Sequence, residues 1–198
     1  MPQAYYQDLP HGITTIDTGY YRAGFDASHL LIEKDQAALV DAGTAFSVPR
    51  LLRVLDDKGI ACEAVRYVMV THVHLDHAGG AGVLLHHLPN AQLVVHPRGA
   101  RHMIDPAKLI AGATAVYGEK RFRDLYGDVV PVAAERVIEA ADNFELMFNG
   151  RPLLFLDTPG HARHHYCIYD AVSRGIFSGD TFGLSYRDFD SGAGPFIF

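Results

Sequence analysis

Three histidines and one aspartate fall within six consecutive residues of this chain, at the end of a short apolar run. They are His72, His74, Asp76 and His77, and they come directly after Tyr67-Val68-Met69-Val70 and Thr71. Neutral imidazole and carboxylate are common nitrogen and oxygen ligands of zinc, and they also suit iron and manganese. Packing gains nothing from four polar groups at a strand end. The spacing therefore predicts a metal site.

The cluster lies between a predicted strand and a predicted helix. A short apolar run bounded by polar residues is typical of a buried strand. Residues two apart in an extended segment point the same way, so His72 and His74 can converge on one ion. Asp76 and His77 lie past the bend and can turn towards a second ion. The small residues 78–80 then open a helix.

The pattern His-x-His-x-Asp-His after a hydrophobic strand resembles the signature of the metallo-β-lactamase superfamily. Two later segments are similar to further ligand motifs of that family, Thr158-Pro159-Gly160-His161 and Phe177-Ser178-Gly179-Asp180-Thr181. The resemblance covers residues 12–180 in the expected order. It implies an α+β fold, namely the αββα four-layer sandwich of the metallo-β-lactamase type, formed by residues 1–198 as one domain.

The resemblance also implies two divalent metal ions, zinc foremost, with iron and manganese as alternatives. His72, His74 and His161 would hold the first ion, and Asp76, His77 and Asp180 would hold the second. Asp180 would bridge the two ions. A hydroxide between them would be the nucleophile, because a bound metal lowers the pKa of water to about 7. Asp76 would also be catalytic, by orienting that hydroxide or passing a proton to the leaving group.

Three further residues are candidates for support or substrate contact. Asp41 ends a predicted strand where the family often has an aspartate behind the metal-binding loop, and a capping aspartate at a turn is an equally good interpretation. His164 and His165 would point to opposite faces of a strand, one towards the site and the other exposed. Tyr186, six residues after Asp180, is a candidate for hydrogen bonding to a substrate carbonyl.

The remaining patterns predict a strand-rich chain with one long helix at residues 47–58. Residues 97–130 are the least regular part, and arginines and tyrosines there could hold an anionic or aromatic substrate. The alternative for that region is an ordinary surface helix of mixed charge. The predicted strands span residues 12–18, 28–33, 37–41, 92–96, 136–140, 144–148, 151–157, 164–169 and 175–178.

The chain departs from the family pattern after Asp180. The family supplies a final histidine beyond its bridging aspartate, whereas the last histidine here is His165. We therefore expect a C-terminally shortened chain in which the second ion has three protein ligands. One face of the second sheet would then be exposed, which favours homo-oligomers.

The composition excludes several classes of protein. The 198 residues carry 17 Lys+Arg against 23 Asp+Glu, a net charge of −6 without a basic block. We expect neither a nucleic-acid nor a membrane partner. The ligand that we expect is a small-molecule substrate. No export signal is visible, and Cys62 and Cys167 form no Cys-x-x-Cys pair, so the location expected is the cytoplasm with both thiols reduced.

Three functional hypotheses follow. The first is a metal-dependent hydrolase that acts on a small ester, thioester, lactone or amide. The second is a mononuclear or dinuclear iron oxidoreductase of the same superfamily, resembling its dioxygenases, for which His72, His74 and His161 would suffice. The third is a metal-binding protein without turnover. β-Lactam hydrolysis is disfavoured because such enzymes are commonly exported.

Overall fold

The computed structural model describes residues 5–182, which form two β-sheets and six α-helices. The eleven strands are β1 Tyr6–Leu9, β2 Ile13–Asp17, β3 Ala27–Glu33, β4 Gln36–Val40, β5 Val65–Met69, β6 Gln92–Val95, β7 Val137–Glu139, β8 Phe144–Phe148, β9 Arg151–Asp157, β10 Tyr166–Asp170 and β11 Gly175–Phe177. The helices are α1 Val48–Asp57, α2 Leu75–Ala78, α3 Ala81–His87, α4 Pro97–Ile104, α5 Ala107–Tyr117 and α6 Glu119–Tyr126.

The first sheet has seven strands in sequential order, β1 to β7. Strands β1 to β4 pair antiparallel, and β4 to β7 pair parallel. Parallel neighbours need a crossover connection. Helix α1 provides it between β4 and β5, and α3 provides it between β5 and β6. The carboxyl ends of β4, β5 and β6 therefore meet at one edge of the sheet.

The second sheet has four antiparallel strands in the order β11-β10-β9-β8. Asn149 and Gly150 join β8 to β9, with Phe148 opposite Arg151. Both turn residues have positive φ, 49° and 98°. Asn-Gly is the dipeptide favoured in tight hairpins because it tolerates such backbone angles, so the predicted hairpin is confirmed.

The two sheets pack face to face over one apolar core. Met69 and Val94 of the first sheet contact a set from the second sheet that includes Phe148, Phe155 and Tyr166, and all are almost fully buried. The other face of the first sheet packs against the helices. These are the first three layers of an αββα sandwich, as predicted.

The outer face of the second sheet is open in the part of the chain that the structure describes. Met147 on β8 is 63% exposed, and Ile176 on β11 is 54% exposed. Their neighbours in sequence, Leu146 and Phe177, point to the inter-sheet core and are buried. This alternation agrees with the expectation that one face of the second sheet is uncovered.

The prediction of an irregular region at residues 97–130 was wrong, because α4, α5 and α6 occupy most of it. No side chain of helix α5 is fully buried, and Leu109, Ile110 and Ala113 are half-buried against the cluster of Phe122 and Tyr126. Its apolar residues are spread around the helix, so it lacks the concentrated apolar stripe on which helix prediction depends. On α6, Lys120 pairs with Asp124 and Arg123 pairs with Glu119, one helical turn away. This part of α6 is the mixed-charge surface helix named as the alternative.

No helix among the described residues has the length and apolar character needed to cross a membrane.

A buried ion pair joins the second sheet to the loop before β2. The Arg151 guanidinium donates to both carboxylate oxygens of Asp170, at 2.9 Å and 2.5 Å, and to the His11 carbonyl at 2.7 Å. Both charged side chains are fully buried. Burial alone would raise the pKa of Asp170, but hydrogen bonds from Arg151 and Ser173 hold it below its ordinary value.

Replacing Arg151 by methionine is expected to lower the free energy of unfolding by about 3–5 kcal/mol, because the Asp170 carboxylate would stay buried without its partner. Urea denaturation at neutral pH measures this difference. Exposed Arg66→Met is the matched control and should change stability by less than about 0.5 kcal/mol. A loss below about 1 kcal/mol in Arg151→Met would contradict the assignment.

The difference in stability between the wild type and Arg151→Met should shrink in acid. Because the pKa of Asp170 in the folded protein is below its ordinary value of 3.8, the pair stabilises the fold above that value. This contribution is lost as the pH falls through the lower folded-state pKa. Urea curves measured between neutral pH and pH about 3 test this. A difference that grows on acidification would contradict it.

Candidate metal centre

Three imidazoles converge at the edge where the two sheets meet. His72 and His74 follow β5, and His161 lies on the loop between β9 and β10. The His74 Nδ1 atom lies 3.0 Å from His72 Nε2 and 2.9 Å from His161 Nε2. Ligands of a tetrahedral zinc at 2.0–2.1 Å are about 3.4 Å apart. Small side-chain adjustments would therefore let these three nitrogens hold one ion.

A second group adjoins the first and shares His72 with it. It contains His72, His77 and Asp180, and its ligand atoms lie within 4.8 Å of one another. Asp180 Oδ1 is 3.2 Å from His77 Nε2, whereas Asp180 Oδ2 is 3.4 Å from His161 Nε2. One carboxylate thus presents one oxygen to each group. This is the arrangement that a bridging ligand needs.

The carboxylate of Asp41 lies behind both groups, in a buried position after β4. It accepts hydrogen bonds from the Thr71 backbone N–H at 2.7 Å and the Thr71 hydroxyl at 2.9 Å, and it lies 2.9 Å from His77 Nδ1. A carboxylate only accepts, so His77 Nδ1 carries the proton of that bond. His77 Nε2 then faces Asp180 with its lone pair free in the neutral ring.

The same carboxylate acts on His72 through Thr71. The Thr71 hydroxyl has one hydrogen and donates it to Asp41, so its oxygen accepts from His72 Nδ1, 3.1 Å away. The proton on Nδ1 leaves His72 Nε2 as the free donor atom towards the centre. Asp41 therefore sets the tautomers of two candidate ligands at once, which is the usual task of groups behind a metal site.

His165 holds the segments that carry His161 and Asp180. Its Nδ1 lies 2.8 Å from the Thr158 hydroxyl, and its Nε2 accepts the backbone N–H of Asp180 at 3.1 Å. Gly179 fits against it with φ 48°, and a Cβ there would come within 2.6 Å of His165 Nε2. Only glycine suits a position with that backbone angle and that close neighbour.

Two members of the first group, His72 and His74, are held in the neutral form that binds a metal. Burial lowers the pKa of His72 far below its ordinary value, and the nearby His77 lowers it further. Burial lowers the pKa of His74 as well, assisted by His161. A metal ion needs the unprotonated nitrogen, so these shifts favour ion binding over protonation at neutral pH.

The second group attracts positive charge. Burial alone would lower the pKa of His77, but Asp41, Asp180 and Asp26 together raise it well above its ordinary value. The pKa of Asp180 lies below its ordinary value, because His77 outweighs the effect of burial. A divalent cation would supply the charge that these carboxylates favour.

Five of the site residues predicted from the sequence come together in the folded structure. His72, His74, His77, His161 and Asp180 form the two groups. No such group of three among residues 5–182 includes Asp76, which is half-buried on the short helix α2. Tyr186 lies outside the described residues.

The outcome for His164 and His165 differs from the prediction in two ways. They precede β10 rather than belong to it, since that strand begins at Tyr166. His165 was expected to be exposed or to face the site, and it is 1% exposed between the two loops. His164 is half-buried beside His74, and its Nδ1 accepts the Val73 backbone N–H at 3.4 Å. Both residues therefore belong to the surroundings of the centre.

Sequence reasoning missed Asp26. Its Oδ1 is 3.9 Å from His77 Nε2, and its Oδ2 accepts from the Thr18 hydroxyl at 2.8 Å. Burial raises the pKa of Asp26 to about 7, against the lowering effect of His77. A single aspartate on a loop carries no spacing signal, so only the folded structure identifies it as a neighbour of the second group.

An aromatic cluster covers the loop that carries the histidines. Leu75 packs against Phe122 and Tyr126 of α6, and Tyr20 joins them. The Tyr20 and Tyr126 rings stack with their centroids 5.9 Å apart. This cluster gives α6 a positioning role at the centre, although the charges of α6 face away in surface pairs.

Two sheets that share one core, with candidate ligands at one edge of both, define an αββα protein with a histidine-rich centre. The family model described as "Metallo-beta-lactamase superfamily" matches residues 22–195. The chain therefore belongs to the metallo-β-lactamase superfamily, as its motifs predicted.

Several curated relatives resemble the chain over most of its length. It is 29% identical to the chicken (Gallus gallus) protein "Acyl-coenzyme A thioesterase MBLAC2", with 89% of this chain and 65% of the relative covered. It is 27% identical to "Thioesterase pkgB" of Emericella nidulans, with 83% and 35% covered. The chain thus spans less than two thirds of the length of these relatives.

A solved structure shows the same fold. The archaeal metallo-beta-lactamase superfamily protein ST1585 from Sulfolobus tokodaii superposes with a TM-score of 0.73 at 24% identity. The superposition covers 90% of this chain and 67% of that one.

Replacing Asp41 by asparagine should weaken metal binding about 10–100-fold, because the amide cannot hold the protons of His72 and His77 in place as the carboxylate does. Zinc affinity is measured by competition with a chromophoric chelator. Asp128→Asn removes an exposed carboxylate and should bind as the wild type does. Equal affinities in Asp41→Asn and Asp128→Asn would contradict the proposed role of Asp41.

Proposed function

We propose that the protein is a metal-dependent hydrolase that cleaves a small thioester. The observation that carries the proposal is the pair of adjoining ligand groups, which share His72 and receive one oxygen each from Asp180. Two adjacent sites are suited to hydrolysis, since one can hold the nucleophile while the other polarises the bond under attack.

The residues present fit two divalent ions, and zinc is the ion we propose. His72, His74 and His161 would hold the first. His77 and Asp180 would hold the second together with Asp76, which we retain as its third ligand and as the group that passes a proton to the leaving group. The ions, when bound, would lower the pKa of water to about 7 and polarise the substrate carbonyl.

The rest of the chain prepares these side chains. Asp41 and Thr71 hold the Nδ1 protons of His72 and His77, which directs the Nε2 atoms of both rings towards the ions. His165 ties the backbone of Asp180 to the loop of His161, so that both reach the centre in register. Preorganised ligands save the entropy that ordering them during the reaction would cost.

The names of the relatives support the choice of thioester. Two of them are called thioesterases, one of which is named for acyl-coenzyme A. A water nucleophile is suited to thioester cleavage, because the thiolate is a good leaving group. We further propose a cytoplasmic enzyme, in keeping with the two free cysteines Cys62 and Cys167.

The His161→Ala variant should lose more than about 100-fold in thioesterase activity, beyond the upper range for a partner outside the ligand set. Its zinc content by elemental analysis should fall from about two to about one ion per chain. The matched control His86→Ala changes an exposed helical histidine and should leave both quantities unchanged.

Full thioesterase activity in His161→Ala would refute the proposed function. Iron at about one ion per chain in the wild type, without thioesterase activity, would instead favour the oxygenase that the three histidines alone could support. Absence of any bound metal would refute both the hydrolase and the oxygenase.

A further inference from the structure

A cavity of about 870 Å³ opens beside the first ligand group. His74 and His161 form part of its wall, so a molecule in the cavity reaches the candidate metal centre. The remaining wall comes from one side of α4 and from the loop between β9 and β10. Its volume lies within the range of about 300–1,000 Å³ that small-molecule sites occupy.

Within the part of the chain that the structure describes, three arginines and no carboxylate line this cavity. Arg98 and Arg101 lie one turn apart on α4, and Arg163 follows His161 by two residues. Among the described residues 5–182, none of the three forms an ion pair with an acidic side chain. In a chain of net charge −6 this is a local reversal of sign, and a concave cationic wall concentrates anions.

The two elements that carry the arginines are tied together. Arg98 Nη1 donates to the Arg163 backbone carbonyl at 3.1 Å. Arg101 Nε donates to the ring of His102 at 3.3 Å. Each of these bonds uses one guanidinium N–H of the five that an arginine has. Among residues 5–182, no further hydrogen bond of these three guanidinium groups is seen, which leaves their other donors for a ligand.

We propose that this arginine-lined cavity binds the phosphate groups of the substrate, so that the thiol carrier of the thioester is a phosphorylated one. The proposal rests on the proposed function, because it places the scissile carbonyl at His74 and His161 and the phosphates at the arginines. Guanidinium groups match phosphate oxygens in pairs and keep their charge at all physiological pH values. A carrier without phosphates would leave three cations facing the cavity unpaired.

The direct test is binding of adenosine 3′,5′-bisphosphate, the phosphate-bearing end of coenzyme A without its thiol, to the purified full chain by titration calorimetry. The double variant Arg101→Gln/Arg163→Gln should bind at least about 10-fold more weakly, since charged hydrogen bonds are lost. Arg98 is left intact because it also holds the backbone of the loop that carries His161. The exposed Arg66→Gln removes one positive charge elsewhere and should bind as the wild type does.

Kinetics with three thioesters of the same acyl group identify the carrier. For acyl-coenzyme A, kcat/KM should fall at least about 10-fold in the double variant, mainly through KM, whereas the neutral acyl-N-acetylcysteamine should change less than about twofold. Acyl-glutathione, whose carrier bears carboxylates, tests the other source of anionic charge. If only its hydrolysis depends on the arginines, the phosphate assignment is overturned.

The failures of the two proposals are distinguishable. Absence of bisphosphate binding to the wild type, or equal weakening by Arg66→Gln, overturns the phosphate site. Equal losses for the coenzyme A and N-acetylcysteamine thioesters also overturn it. If no thioester is cleaved but bisphosphate binding still depends on Arg101 and Arg163, the proposed hydrolysis fails and the phosphate site stands.

Discussion

The centre depends on one buried carboxylate more than on any other group. Asp41 accepts two hydrogen bonds from Thr71 and lies against the ring of His77. Its own backbone has a φ of 59°, which is uncommon outside glycine and is held here by the Ser28 hydroxyl on the Asp41 carbonyl. Because that carboxylate sets the protons of two imidazoles, the geometry of the histidine loop follows from where β4 ends. The position of β4 in the sheet therefore determines where the candidate ligands lie.

Much of this arrangement could be predicted from the sequence because the signals are local. Three histidines within six residues after an apolar run indicate a metal-binding loop without any knowledge of the fold, and the resemblance to a family then added His161 and Asp180. The alternation of apolar residues located β8 and β9 to the residue, with Asn149-Gly150 between them. Strand periodicity survives because each of these strands has one buried face and one open face.

The remaining features depend on long-range contacts that leave no local pattern. The contacts of Asp26 and His165 at the centre form only when segments far apart in the chain come together in the fold. Neither residue belongs to a spaced motif. Helix α5 was missed because none of its side chains is fully buried and its apolar residues are spread around the helix, so it shows no clear amphipathic stripe. The arginines that line the cavity beside the candidate centre are Arg98 and Arg101 of α4 and Arg163 of the loop between β9 and β10, whereas the prediction named residues 97–130 only as a region. The sequence indicated the region, but only the folded structure shows which of its residues line the cavity.

The ligands come from both sheets, with His74 following a strand of the first and His161 following a strand of the second. These two residues are 87 positions apart in the chain and only 2.9 Å apart between ring nitrogens. An ion held by both would act as a cross-link that closes a long loop, much as a disulfide does. Ion binding would therefore add to the stability of the whole sandwich. Loss of such an ion would therefore weaken the packing of one sheet against the other as well as remove the chemistry at the edge.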